Sequence, residues 1–367
     1  MSKARQLADN GAATPNRNLV INGAMNVAQR SASVTGIGAS DGYFTIDRFK
    51  IDVDAASAGR LTMTQTADGP SGFANCLKLD CTTADTSIAA GERLILRIPL
   101  EGQNLQRMKK GTSDAEQVTI SFYVKGNASA TYSLSLYDND NGRTISQTFA
   151  VTTAWNRIEL TFAGDTTGAL GDDNNASLLL DFFLHAGSTY TSGSLGTSWA
   201  SNNNATRAVG ISSFFDATSR TFFMTGLQME IGSSATPFEH KTFGQDLEEC
   251  SRYYSREEAD TGASYKRYAT GSWSSSTGFE VLVPLSTPMR TTPTLETTGT
   301  AANYAVYSAN SIDASTGLAI TNDSDAGTNN RAVAVAVTTS GGGVAGEGGT
   351  LLNNNNTAGF IALNAEL

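Results

Sequence analysis

The dominant pattern along the chain is an alternation of apolar and polar residues with a period of two, interrupted at short intervals by Gly, Asn or Asp. In VTISFYVKG, Val118, Ile120, Phe122 and Val124 share one face, and in YSLSLYD so do Tyr132, Leu134 and Leu136. Successive side chains of a strand point to opposite faces, so such runs predict strands with one buried side. YFTIDRFKIDV, RLTMTQTA, CLKLDCTT, RLILRIPL, RTISQTFAV, NRIELTFAG, SLLLDFFLHAG and RTFFMTGLQMEIG extend the series. Short strands punctuated by turn residues predict an antiparallel sandwich or jelly roll.

The rhythm breaks at ATPFEHKTFGQDLEECSRYYSREEA, residues 235–259. Here Phe243, Leu247, Cys250 and Tyr254 recur at helical spacing. Thr242 followed by Gln245 forms a capping-box pattern, with Asp246, Glu248 and Glu249 early and Arg252 and Arg256 late. GQNLQRMKKG predicts one further helical turn or two. The strand rhythm then resumes in GFEVLVPLSTPMRTTPTL, NYAVYSA, GLAITND, RAVAVAVTT and GFIALNAEL, where Val333, Val335 and Val337 share a face. The prolines of STPMRTTPT remove backbone donors and assign that run to an edge or a kinked connection.

The expectation is an all-β protein: two β-sandwich, jelly-roll-like domains joined by one short amphipathic helix. An N-terminal arm would span 1–17, the first sandwich 18–241, the helix 242–258 and the second sandwich 259–367. Phe243, Leu247, Cys250 and Tyr254, with Tyr253, are expected at the seam between the domains.

Composition supports this reading and narrows the partners. A chain of 367 residues accommodates two domains. Charged residues make up only 16%, so Ser, Thr, Asn and Gly must supply the polar surface. A net charge of -10 argues against nucleic acid, because no basic surface displaces counterions from phosphates. Arg107, Lys109 and Lys110 form the densest basic cluster and read as a solvated face. No window suits a membrane span, and the opening MSKARQLADNGAATPNRN has no apolar h-region, so neither membrane insertion nor secretion is expected. Cys76 and Cys81 lie about 17 Å apart at ~3.3 Å per residue in one strand and point to opposite faces. With Cys250 they read as reduced core thiols.

Several stretches resemble a known family. NLVINGAMNVAQRS followed by GYFTIDRFKI resembles the opening of a widespread family of tailed-bacteriophage structural proteins. TGLQMEIGSSATPFEHKTFGQDLEECSRYY resembles the close of the same module, and VTISFYVKG with AWNRIELTF resembles carbohydrate-binding-module jelly rolls. The resemblance covers residues from about Asn16 to Arg256 and is weaker beyond. It implies a virion protein, most often a trimeric tail fibre or receptor-binding appendage, with the helix as the seam before a distal domain. The partners it implies are other virion proteins, met through the N-terminal arm, and host-surface polysaccharide. A head fibre or capsid decoration protein is the alternative, since no stalk of coiled-coil or β-helix repeats is visible. A polysaccharide depolymerase is a weaker third.

Candidate chemistry is sparse. The two histidines, His185 and His240, are far apart in sequence and give no metal-ligand spacing. DNDNG, 138–142, echoes a calcium loop, but Gly142 falls one place early and the bidentate Glu is missing, so a hairpin turn is expected. GDDNN, 171–175, reads as a solvated turn. No side-chain metal site or cofactor is expected, and calcium held through backbone carbonyls, as in jelly rolls of this kind, stays open. GISSF lacks the second glycine of a nucleophile elbow, and the chain is not expected to be an enzyme. The stretch best suited to a ligand is HAGSTYTSGSLGTSWASNNNATR, 185–207, where Tyr190 and Trp199 offer aromatic faces and Asn202, Asn203 and Asn204 offer amides for sugar hydroxyls. Trp199 also reads as a pin holding the loop to the sandwich, which is the preferred role. Trp155 is expected in the core, and Trp273 is read equally as an exposed contact or a packed ring.

Overall fold

The computed structural model describes residues 16–54, 57–258, 264–309, 311–321 and 332–367. All of the expected docking arm except Asn16 and Arg17 lies outside these residues. The chain divides into two compact units, 1–246 with Leu367 and 247–366. Among the described residues no helix is long and apolar enough to cross a membrane.

In the first unit the strands are β1 (Ser33–Ile37), β2 (Gly42–Tyr43), β3 (Lys50–Val53), β4 (Arg60–Thr66), β5 (Cys76–Thr83) and β6 (Arg93–Glu101). They continue as β7 (Val118–Gly126), β8 (Ala130–Asp138), β9 (Arg143–Val151), β10 (Asn156–Phe162), β11 (Ala176–Ala186), β12 (Ala200–Ser201) and β13 (Thr221–Ile231). One sheet runs β1-β4-β5-β13-β7-β10 and the other β12-β9-β8-β11-β6-β3-β2. The ladders are antiparallel throughout, as a jelly-roll-like sandwich requires.

The alternation works as expected. Val118, Ile120, Phe122 and Val124 of β7 and Tyr132, Leu134 and Leu136 of β8 all enter one core. Phe122, Phe149 and Phe182 meet edge-to-face at its centre, an arrangement the ring quadrupoles favour. GQNLQRMKKG forms two 3-10 turns, Gly102–Asn104 and Gln106–Met108. DNDNG is the β8–β9 hairpin, with Gly142 at φ +61°. Cys76, Cys81 and Cys250 are free and buried, and burial pushes the Cys76 and Cys81 thiols up to about 11.

The helix spans Phe243–Ser251, and the unit boundary falls inside it, after Asp246. Gln245 N–H donates to Thr242 Oγ1 at 3.3 Å, and Thr242 N–H donates to Gln245 Oε1 at 2.9 Å, which completes the capping box. The helix is shorter than expected. Tyr254 opens strand β14 (Tyr254–Glu258) instead of continuing the stripe. Phe243 is 59% exposed, Leu247 is half-buried, and Cys250, Tyr253 and Tyr254 are buried.

The second unit is also β, built from β14, β15 (Arg267–Trp273), β16 (Gly278–Pro284), β17 (Thr294–Glu296), β18 (Tyr304–Ser308), β19 (Ser311–Ile320), β20 (Ala332–Thr339), β21 (Gly348–Asn353) and β22 (Phe360–Asn364). Where two facing sheets were expected, six strands close into a barrel in the order β15-β16-β20-β19-β18-β21, beside a three-stranded sheet β14-β22-β17. Val333, Val335 and Val337 line the core with Trp273 and Phe279. Trp273 is therefore a packed ring, and its indole N–H donates to Ser308 Oγ at 3.1 Å. β17, just after STPMRTTP, is an edge strand.

Candidate ligand surface

Residues 187–213 connect β11 to the segment leading into β13 and lie across the outer face of the seven-stranded sheet. Leu178, Leu180, Phe182 and Leu184 of β11 point into the sandwich core. The intervening Phe183 points outward and, with Ile95 of β6, packs against Tyr190 and Ala208. Backbone bonds fix the loop: Ser146 N–H to Gly196 O at 2.7 Å, Ser212 N–H to Thr131 O at 2.7 Å and Ala208 N–H to Tyr190 O at 3.0 Å.

A ladder of ion pairs lies beneath this loop. Asp52 accepts from Arg93 and Arg97, and Asp181 accepts from Arg97 and Arg207, each at 2.6 Å. Arg207 sits 5.1 Å from the Tyr137 ring centre and 5.0 Å from that of Phe183. Burial alone would raise the Asp181 pKa, but Arg97 and Arg207 outweigh it and hold the carboxyl below the usual range. The loop is thus fastened through a fully buried carboxylate.

This placement separates the five candidate residues. Tyr190 is buried against Phe183 at 5.5 Å, and its hydroxyl accepts from Arg93 at 3.3 Å. Its ring belongs to the underside of the loop, which removes it from a ligand surface. Trp199 is half-buried, packs on the sandwich core and donates its indole N–H to Ala163 O at 2.7 Å. Asn202 and Asn203 are exposed and Asn204 is half-buried. Asn203 Oδ1 accepts from Ala205 N–H at 3.1 Å and caps a 3-10 turn, while Asn202 N–H donates to Gly142 O at 2.7 Å. The backbone of this stretch lies at the end of the sheet beside the DNDNG hairpin, while the Trp199 ring turns toward Ala163 and Lys110.

Two other constellations bear on chemistry. Ser213 Oγ lies 2.8 Å from His185 Nδ1, and His185 Nε2 lies 3.5 Å from a Glu92 carboxylate oxygen. These are the atoms of a nucleophile–base–acid line, yet the His185 side chain is fully buried. The neighbouring amides are engaged: Phe215 N–H donates to Ser213 Oγ and Phe214 N–H to Leu184 O, so neither faces an oxyanion. Trp155, expected in the core, is half-buried on the outer face of the six-stranded sheet. Its ring is 6.2 Å from Phe223, and Lys125 lies over both rings at 5.1 and 4.7 Å. The ring lies on this face because it shares the parity of Arg157 and Glu159, whereas Ile158, Leu160 and Phe162 face the core.

The motifs that carried the family resemblance form a clasp that sequence reasoning did not anticipate. Asn18 Oδ1 accepts from Met229 N–H at 3.0 Å, and its amide donates to Leu227 O at 3.1 Å, beside a bulge in β13. The two carboxylate oxygens of Glu239 accept from Asn16 and Asn18 N–H, each at 2.8 Å. Glu239 N–H in turn donates to Gln228 Oε1 at 2.8 Å. Gln29 donates to both oxygens of Asp47, and Asn22 bridges Val27 and Asp47. These residues hold the start and end of the first unit together.

No known protein family and no curated protein matches the sequence. Among solved structures, the chain is similar to a carbohydrate-binding module, CBM4, at 11% identity and a TM-score of 0.29, over 58% of this chain and 99% of that one. It is similar to the enzymatically active domain of tailspike protein 4 of bacteriophage CBA120, at 12% identity and a TM-score of 0.32, over 59% of this chain and 22% of that one. The family 11 carbohydrate-binding module of a Clostridium thermocellum cellulosomal cellulase is similar at 13% identity and a TM-score of 0.27, over 58% and 100%. Similarity at this level leaves function to be argued from the chain's own residues.

Proposed function

We propose that this chain is a non-enzymatic bacteriophage virion protein, a short tail fibre or receptor-binding appendage that contacts host-surface polysaccharide. The observation that carries the glycan contact is the polar end of this loop, where Asn202 and Asn203 are exposed and Asn204 and Trp199 are partly exposed. An aromatic ring offers a surface for sugar C–H groups, and neighbouring amides pair with hydroxyls. The backbone bonds of the loop fix this group on a rigid sandwich, which lowers the ordering cost of binding. Attachment to the particle is assigned to residues 1–17, and the assembled form to a homotrimer.

A second reading, a head fibre or capsid decoration protein, is favoured by one observation. The Trp199 N–H and the Asn203 side-chain oxygen are already bonded within the fold. Paired substitutions separate the two readings. Asn202→Ala removes an exposed amide that sits 3.4 Å from Asn204 Oδ1, and is expected to weaken binding to host cells with an unchanged melting temperature. Trp199→Ala is expected to abolish binding and also lower the melting temperature, because the ring packs on the core. Parental binding by both variants would remove this loop from the account.

A further inference from the structure

Lys110, which its sequence neighbours place on a solvated face, is buried. Its side chain is 2% exposed and ends between the carboxylates of Asp138 and Asp165, themselves 0% and 3% exposed. The ammonium carries three protons. Asp138 Oδ2 accepts from it, as do Gly168 O at 2.8 Å and Thr167 O at 2.9 Å. Asp165 Oδ2 lies 3.1 Å from the same nitrogen, and Arg143 donates to both Asp165 oxygens, at 2.7 and 3.0 Å. The charges balance in two pairs, Lys110 with Asp138 and Arg143 with Asp165. On the side turned away from Lys110, Asp138 Oδ1 accepts three N–H groups: the Asp140 and Asn141 backbone at 3.1 and 3.0 Å, and the Asn141 side-chain amide at 3.2 Å. The Trp199 ring centre lies 5.4 Å from the ammonium.

We infer that Lys110 and Asp138 condense to an amide, an internal cross-link that ties the segment before β7 to the end of β8. Burial disfavours both charged forms, so the bridging proton passes from Nζ to Oδ2 and leaves a neutral amine beside a neutral carboxyl. Thr167 O and Gly168 O hold the two remaining protons, so the freed lone pair is directed at the carboxyl. Nζ attacks the Asp138 carboxyl carbon, and the charge that develops on Oδ1 meets its three N–H donors. Asp165, kept ionised by Arg143, takes one proton from Nζ and passes it to Oδ2, which leaves as water when its bond to carbon breaks. An ammonium and a carboxylate thus become one amide and one water, with no co-reactant. The product removes an ion pair from the interior and keeps the three donors on the amide oxygen.

The test is the intact mass of the full-length chain, purified folded and then denatured. It is expected to fall one water below the sequence mass, and proteolysis should release a branched peptide that joins Lys110 to Asp138. On a denaturing gel the parent should run apart from its unlinked variants. Lys110→Arg and Asp138→Ala should each show the full sequence mass. Asp165→Asn should do so too while keeping the parent's circular dichroism spectrum, which separates loss of the base from loss of the fold. A folded parent at its full sequence mass, with Lys110 and Asp138 in separate peptides, would overturn the inference whatever the variants do. So would a missing water that maps to other residues or persists in Asp138→Ala.

Discussion

At the scale of single residues, Asp181 shows most clearly how the long loop is held. Its carboxylate is wholly buried between Arg97 and Arg207, and removing its charge leaves Arg207 without its carboxylate and Arg97 with Asp52 alone. Asp181→Asn is expected to lower stability by about 3–5 kcal/mol, measurable by urea unfolding. A loss within error would mean that the loop is fastened by its backbone bonds and by Tyr190 instead. His185 gives a pH signature. Burial disfavours its imidazolium and outweighs the attraction of Glu92, so its pKa is lower folded than unfolded. Protonation then favours the unfolded chain. The stability it contributes is intact above the ordinary histidine value of about 6.5 and is lost as pH falls from there toward the folded value. Asp165 and Asp181 add a second loss lower down: both are held below the usual carboxylate range, so their contribution is present above that range and disappears as pH falls through the depressed values. Thermal unfolding from pH 7.5 to 5 should show the first loss, and His185→Gln should flatten it. A profile unchanged by His185→Gln would place the titrating group elsewhere.

At the scale of elements, the alternating strands and the capped helix are local features and were legible in the sequence. Phe122 and Leu134 are buried because their neighbours in sequence put them on the inner face. Thr242 caps because Gln245 lies three residues on, and Thr242→Ala should cost about 1 kcal/mol in thermal unfolding. What the sequence did not disclose depends on partners distant along the chain. Glu239 binds backbone amides more than two hundred residues away, and Arg207 meets Asp181 across the sheet. Closure of the barrel rests on the β15–β21 pairing, which no local pattern announces. Tyr254 kept the helical spacing but pairs with Asn364 in a sheet. In sequence Tyr190 is an aromatic in a polar loop, and only its contact with Phe183 reveals it as buried packing. Glu239→Ala would strip the Asn16 and Asn18 amides of their acceptors, and should cost about 1–3 kcal/mol if those amides stay out of water. An unchanged midpoint would show that water replaces the carboxylate there.

At the scale of the whole molecule, the fold and the function rest on different residues. The stretches with the most recognisable motifs, around Asn18 to Asp47 and Gln228 to Glu239, close the first unit on itself. They identify an architecture without supplying a ligand surface, and fold alone does not establish function. The exposed Asn202 and Asn203 near the sheet end, with the partly exposed Asn204 and Trp199, carry the glycan proposal. The most direct measurement is binding of the purified full-length protein to host cells before and after their surface polysaccharide is stripped. The account predicts saturable binding that disappears on stripping and is weakened by Asn202→Ala. Binding that survives stripping, or no binding even by the protein displayed on intact virions, would contradict it and leave the decoration role in its place.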